Sequence, residues 1–145
     1  AVGRATSDAG QLEHISDHQR RQWLKYHDRA TAGIMGLLPL VRGMPVRFTA
    51  TIQKELGIFK YTRGTLQSCC LQDVDLARIR GSSDDAEIVL NWIPKCLFVK
   101  VDGAQWTARP GSEKGVYPLE PVFRLWTRDK DGQVLSAKRV SFPTR

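Results

Sequence analysis

From Val46 to Ile52 apolar and polar side chains alternate without a break, Val46, Phe48, Ala50 and Ile52 against Arg47, Thr49 and Thr51. A period of two fits an extended strand, because successive side chains of a strand point to opposite faces. Such a strand buries one face and leaves a cation and two hydroxyls on the other. Gly43 and Pro45 mark a bend before it: glycine tolerates positive φ, and proline fixes its own φ while pushing Met44 toward extended geometry. Upstream, Leu37–Val41 is apolar, and Pro39 confines it to an edge or a bend. A polar turn over Gln53–Gly57 follows the strand, and the chain resumes at Ile58 toward a second strand over Thr65–Leu71, with Gly64 at its start.

Further strands are expected at Cys96–Val101 and, as the clearest hairpin, at Val122–Thr127 and Val134–Phe142 around an Asp129–Gly132 turn. Asp102–Gly103 is a second hairpin signal, since such turns need residues that tolerate positive φ. Ala104–Lys114 reads as a loop, and Glu87–Trp92 as a short extended segment ended by Pro94. Near the N-terminus Ser7 or Asp8 can cap a helix, and Leu12, Ile15, Gln19, Trp23 and Tyr26 fall on one stripe, which predicts a helix over about 8–27. Residues 1–6 are expected to be disordered or linker, and residues 31–36 a connector. The sum is a mainly β chain: one N-terminal α-helix within 7–30, then a small antiparallel barrel of five or six short strands over 36–145, with an acidic loop at 73–87. Closing a bent sheet removes its adhesive edges.

A chain of 145 residues is of one-domain size, and 41% hydrophobic with 26% charged residues fits a soluble globular protein. No apolar run approaches the ~20 residues that a membrane helix needs. The first residues, Ala1-Val2-Gly3-Arg4, hold neither an initiator Met nor the apolar core of a signal peptide, the pattern expected of a piece of a longer intracellular protein. Three cysteines, two of them adjacent at Cys69 and Cys70, give no disulfide framework and no Cys-x-x-Cys, so reduced thiols are expected. The net charge of +7 is unevenly spread. Five cations (Arg42, Arg47, Lys54, Lys60, Arg63) face the single anion Glu55 between Gly36 and Gln72, and the sign reverses over Asp73–Glu87. A chain that segregates charge in this way can turn a basic face to phosphates and hold an acidic loop away from them.

The sequence contains no Gly-x-x-x-x-Gly-Lys-Ser/Thr loop to cradle nucleotide phosphates and no nucleophile elbow. His14 and His18 stand four apart beside Asp17, a spacing that can hold a metal, but no third ligand is in sight and no metal site is expected. Single strands of nucleic acid are gripped by cations that track phosphates and by aromatic rings on which bases stack, worth ~1–3 kcal/mol per base. Two surfaces have that composition. One is Arg124-x-Trp126-x-Arg128, with Lys138 on the returning strand. The other is the outer face of Arg47, Thr49 and Thr51, with Lys54 and Arg63 nearby. The plainer alternative is that Trp126 belongs to the core and the cations form a solvated rim. Two other functions fit these residues: a free-standing SH3-like or OB-like module that binds nucleic acid with no motor attached, and a protein-interaction barrel whose Trp106, Tyr117 and Pro118 dock a partner.

The order of Gly43, Val46, Phe48 and Thr49, then Gly57-Ile58 and Arg63-Gly64-Thr65, resembles a strand–turn–return segment of the superfamily-1B DNA helicases of the petite-integration-frequency (Pif) type, which include the Helitron helicases. A second block resembles the same family, Leu97–Val101 followed by Gly115-Val116-Tyr117-Pro118-Leu119-Glu120-Pro121-Val122. The likeness covers roughly Gly36 to Phe142. One departure is Lys60-Tyr61, where the family carries an Asn-Gly pair that makes a tight turn. The resemblance implies an SH3-like barrel inserted into the second motor domain of a 5′-to-3′ helicase. It implies single-stranded DNA and the motor domains as partners, and a nuclear or mitochondrial location. ATP and Mg would be needed only by the parent enzyme; this piece alone is expected to be non-catalytic, with no cofactor, no small-molecule substrate and no membrane.

Overall fold

In the computed structural model the described residues are 38–83, 87–130 and 133–145, with Arg4–Thr6, Leu12–Glu13 and residues 18, 21, 22 and 25; within the N-terminal strands and the last hairpin, 123–141, only the backbone is described. The chain is mainly β. Among the described residues the strands are β1 (Arg4–Thr6), β2 (Leu12–Glu13), β3 (Pro45–Arg47), β4 (Arg63–Cys70), β5 (Cys96–Val101), β6 (Val116–Leu119), β7 (Val122–Lys130) and β8 (Gln133–Ser141), and an α-helix, α1 (Asp73–Ile79), follows β4. The pairing is antiparallel and divides the strands into two four-stranded sheets, in the orders β2-β1-β8-β7 and β3-β4-β5-β6.

The expected single barrel differs from this pairing for a definable reason. The last hairpin finds its partner in Arg4–Thr6, which pairs with Ser136–Lys138 and with Leu12–Glu13. Arg4–Thr6, within the stretch expected to be disordered or linker, therefore forms a strand, and Leu12–Glu13, within the span expected to be helix, forms β2. His18, Arg21 and Gln22 do have helical backbone; Trp23 and Tyr26 of the expected stripe lie outside the described residues.

The core is built on the second sheet. Along β5 burial alternates strictly, with Leu97, Val99 and Val101 inward and Cys96, Phe98 and Lys100 toward the other face. Val46, Phe48, Ile58, Leu66, Leu119 and Phe142 join those three inward residues in one buried cluster. Phe48 and Ile58 are wholly buried, and each removes enough apolar surface to be worth ~2–3 kcal/mol. In β4 the inward set is Gly64 and Leu66, and then the register slips at Gln67. This bulge sets two residues of β4 against one of β5, so Cys69 rather than Ser68 opposes Leu97 and packs on the core.

Beyond β8 the chain crosses back to the free edge of β3. Phe142 is buried, Phe48 bridges Thr144, and the Thr49 amide donates to the Pro143 carbonyl at 2.8 Å. Between β5 and β6 the Asp102–Gly103 turn forms, with Gly103 at φ 70, but the chain does not return at once. A loop runs to Gly115, whose amide donates to the Trp106 carbonyl at 2.7 Å, and only then does β6 pair with β5.

The expected acidic loop is in part the helix α1. Asp73 and Asp75 sit in its first turn and Arg78 in its last, each sign where the helix dipole favours it. Asp75 is 1% exposed. It accepts hydrogen bonds from the Asn91 and Trp92 amides at 3.2 and 3.1 Å and from Arg78 Nη1 at 3.1 Å. Burial pushes this carboxyl up, but the two amides and the guanidinium outweigh it and hold it below the usual carboxylate range. One acidic residue thus pins the 91–92 segment to the helix, where a count of charges suggests a solvated loop.

Candidate nucleic-acid interface

Because Val46 and Phe48 point inward, Arg47 is forced outward, and it is exposed. Its register partner on β4 is Arg63, also exposed. On its other side Arg47 exchanges both backbone hydrogen bonds with Arg145, the Arg47 amide to the Arg145 carbonyl at 2.7 Å and the reverse at 2.9 Å. Directly paired residues of antiparallel strands share a face. The three arginines, Arg145, Arg47 and Arg63, therefore form one row across neighbouring strands, which lie ~4.8 Å apart. Arg47 and Arg63 make no ion pair among the described residues. Asp102 follows in the row, its amide donating to the Arg63 carbonyl at 3.1 Å.

Like charges directly opposite each other in a sheet are destabilising. Elsewhere on the same face a cation is paired with a carboxylate. Lys100, the register partner of Thr65, reaches Glu113 Oε1 at 2.6 Å, and the Gln67 amide donates to Glu113 Oε2 at 2.5 Å. Those two side chains hold the Glu113 carboxyl below its usual range. The bulge releases Gln67 for this contact. One end of the face is thus neutralised by its own carboxylate, whereas Arg47 and Arg63 at the other end make no ion pair among the described residues.

The remaining sequence-derived candidates fall as follows. Thr49 is half-buried on the same ladder as Arg47, two residues along and paired with buried Pro143. Thr51 is structural: its hydroxyl accepts from the Lys60 amide at 3.3 Å. Lys54 opens the 3-10 turn Lys54–Leu56 in the loop between β3 and β4 and is exposed. Arg124, Trp126 and Arg128 lie on β7, with side chains outside the described residues. Their register is informative: Arg124 pairs with Arg139, Trp126 with Ala137 and Arg128 with Leu135, whereas Lys138 pairs with Leu125. Lys138 is therefore out of phase with the Arg124, Trp126, Arg128 series, and Arg139 is in phase. Sequence reasoning missed Arg145, because nothing local links the last residue to Arg47.

The turn that returns the chain to Arg63 is held on every side. The Thr62 amide donates to the Phe59 carbonyl at 3.1 Å, the Phe59 amide to Thr62 Oγ1 at 3.0 Å, and the Tyr61 amide to the Phe48 carbonyl at 2.8 Å. Tyr61 takes φ 75, the third position of a type II turn, where glycine or asparagine is favoured. The absent Asn-Gly pair is thus replaced by a tyrosine in the left-handed region. Phe59 and Tyr61 are 49% and 54% exposed, and Lys60 Nζ lies 5.0 Å from the Tyr61 ring centroid.

Other surfaces carry less. Cys70 pairs in register with Cys96; burial, and then the neighbouring Cys70, raise both the Cys69 and the Cys96 thiols, which keeps them protonated and slow to react. A cleft of about 440 Å³ is lined by Ile52, Leu56, Arg109, Tyr117 and Pro118 among others. Trp106 meets Tyr117 edge to face with ring centroids 6.4 Å apart. Among the described residues no cluster of three or more His, Cys, Asp or Glu is placed to hold a metal, and no helix is long and apolar enough to cross a membrane. His18 contacts Gln22 at 3.0 Å, and His14 lies outside the described residues.

No family model and no curated protein matches the chain. Among solved structures the chain is similar to the crystal structure of Pif1 helicase from Candida albicans, at 16% identity and a TM-score of 0.43, covering 98% of this chain and 27% of that one. The chain thus spans about a quarter of the length of the helicase structure it matches. A superposition this loose does not define a shared fold.

Proposed function

We propose that this chain is an SH3-like accessory domain that grips single-stranded DNA within a Pif-type, ATP-dependent 5′-to-3′ helicase, working in the nucleus or mitochondria beside motor domains that carry the ATP and Mg sites. The observation that carries the grip is the register row of Arg145, Arg47 and Arg63, with Arg47 and Arg63 making no ion pair among the described residues. Arg47 and Arg63 are like charges directly opposite each other, which costs stability unless an anion spans them, and a phosphodiester strand supplies anions in series. The two ordered motif blocks support the attachment to a helicase, by resemblance.

The test is the salt dependence of binding of the 145-residue chain to a labelled oligothymidylate. Each neutralised phosphate of a single strand contributes ~0.7 to the slope of log K against log salt. Arg47→Ala with Arg63→Ala is expected to weaken binding and flatten that slope by about 1.4. Arg124→Ala with Arg128→Ala reports on the second candidate surface. Binding that is absent, or indifferent to salt, would falsify the reading. The cleft beside Tyr117 and Pro118 favours a second reading, a protein-docking surface, which such a result would leave standing.

A further inference from the structure

We infer that the turn Phe59–Thr62 is a base-stacking platform, in which Tyr61 and Phe59 take nucleobases of the strand whose phosphates lie on Arg47 and Arg63. The inference rests on the grip proposed above and adds to it the groups that touch bases. Four observations carry it.

Two aromatic rings stand half-exposed at the tip of the β3–β4 connection, in a protein whose Phe48 and Phe142 are buried. Tyr61 also occupies a backbone position at φ 75 that glycine fills without strain, and a bulky residue pays ~1–2 kcal/mol to stay there. The turn is tied by backbone bonds to Phe48 and by the hydroxyls of Thr51 and Thr62, so the ring is presented on a fixed frame. Lys60 lies over the Tyr61 ring at 5.0 Å. Tyr61 itself is 54% exposed, so ring surface for a stacked base and a cation for a nearby phosphate stand side by side.

The charge around the rings selects the occupant. The segment holds Arg47, Lys54, Lys60 and Arg63 against Glu55, so an apolar protein side chain would have to arrive on an anionic partner. A single strand brings bases and phosphates together in alternation. Stacking on aromatic rings is sequence-tolerant because every base has a π-face, so the platform would read strandedness and not sequence.

The experiment compares two probes of equal length, an oligothymidylate and an abasic phosphodiester oligomer, by fluorescence anisotropy over a salt series. Tyr61→Gly removes the ring and relieves the backbone, so loss of folding cannot account for loss of binding; Phe59→Ala is its companion. Each substitution is expected to weaken oligothymidylate binding about 5- to 150-fold, leave the salt slope unchanged and leave abasic binding unchanged. Oligothymidylate binding as tight as wild type in both variants overturns the inference and spares the grip, as does an equal loss on both probes. A wild-type chain that binds neither probe overturns both.

Discussion

Arg47 and Arg145 are joined by a reciprocal pair of backbone hydrogen bonds, 2.7 and 2.9 Å long, although the rest of the second sheet and the last hairpin separate them in sequence. With Arg63 on the other flank, the consequence for stability and for binding has opposite signs. Arg47→Ala removes a like charge from the middle of the row and is expected to raise stability by ~0.2–1 kcal/mol, seen as a higher urea midpoint. The same substitution weakens single-strand binding. A fall in both quantities together would mean that Arg47 has a structural partner.

Tyr61→Gly is expected to stabilise the fold by about 1 kcal/mol, the balance between relieved left-handed strain and the greater freedom of glycine in the unfolded chain. Chemical denaturation measures it. Tyr61→Asn, which tolerates the same region, should recover part of the gain.

Gly64→Ala acts in the other direction. A Cβ on Gly64 would lie 2.6 Å from the Lys100 carbonyl oxygen and 2.8 Å from a Val99 methyl. Neither neighbour can retreat easily, because β5 is paired on both sides by β4 and β6. Overpacking of this kind costs ~1–3 kcal/mol, and the thermal midpoint should fall accordingly.

Asp75 sets an acid limit. Its carboxyl titrates below its ordinary value of 3.8 in the folded chain, so below that ordinary value the unfolded chain binds the proton more readily. Stability from Asp75 is therefore complete above the ordinary value and is lost as pH falls through the folded one. Thermal melts should show this loss below about pH 4 in the native chain. Asp75→Asn, which keeps the shape but not the charge, should melt lower at neutral pH and show less of that acid loss.

Thr144 is 1% exposed, and its hydroxyl has no hydrogen-bond partner among the described residues. Replacing a buried hydroxyl that bonds nothing by a methyl removes a desolvation cost, so Thr144→Val should raise stability by ~1 kcal/mol. An unchanged or lower urea midpoint would point to a hidden partner.

β5 and the last hairpin were legible in the sequence, whereas the strand expected over 46–52 is a regular strand only over Pro45–Arg47. Cys96–Val101 alternates over its full length, and Val122–Lys130 with Gln133–Ser141 brackets a glycine turn. These signals are local, and local signals survive folding. The illegible parts are those in which a distant partner decides. Arg4–Thr6 looks like a loose end until β8 pairs with it. α1 is seven residues long and rich in acid, so it reads as loop unless one knows that the Asn91 and Trp92 amides wait for Asp75. Alternation exposes Arg47, but the row needs Arg145, and only the returning tail supplies it. The same holds for Lys138, whose phase against Arg124 depends on a register that the turn sequence alone does not set.

The tail that returns to β3 also has a mechanical meaning. Tension applied at Arg145 along the strand loads the two Arg47–Arg145 bonds and the Thr49–Pro143 bond in shear. Anything tethered at that end would pull directly on the strand that carries Arg47, with Phe48 as its anchor.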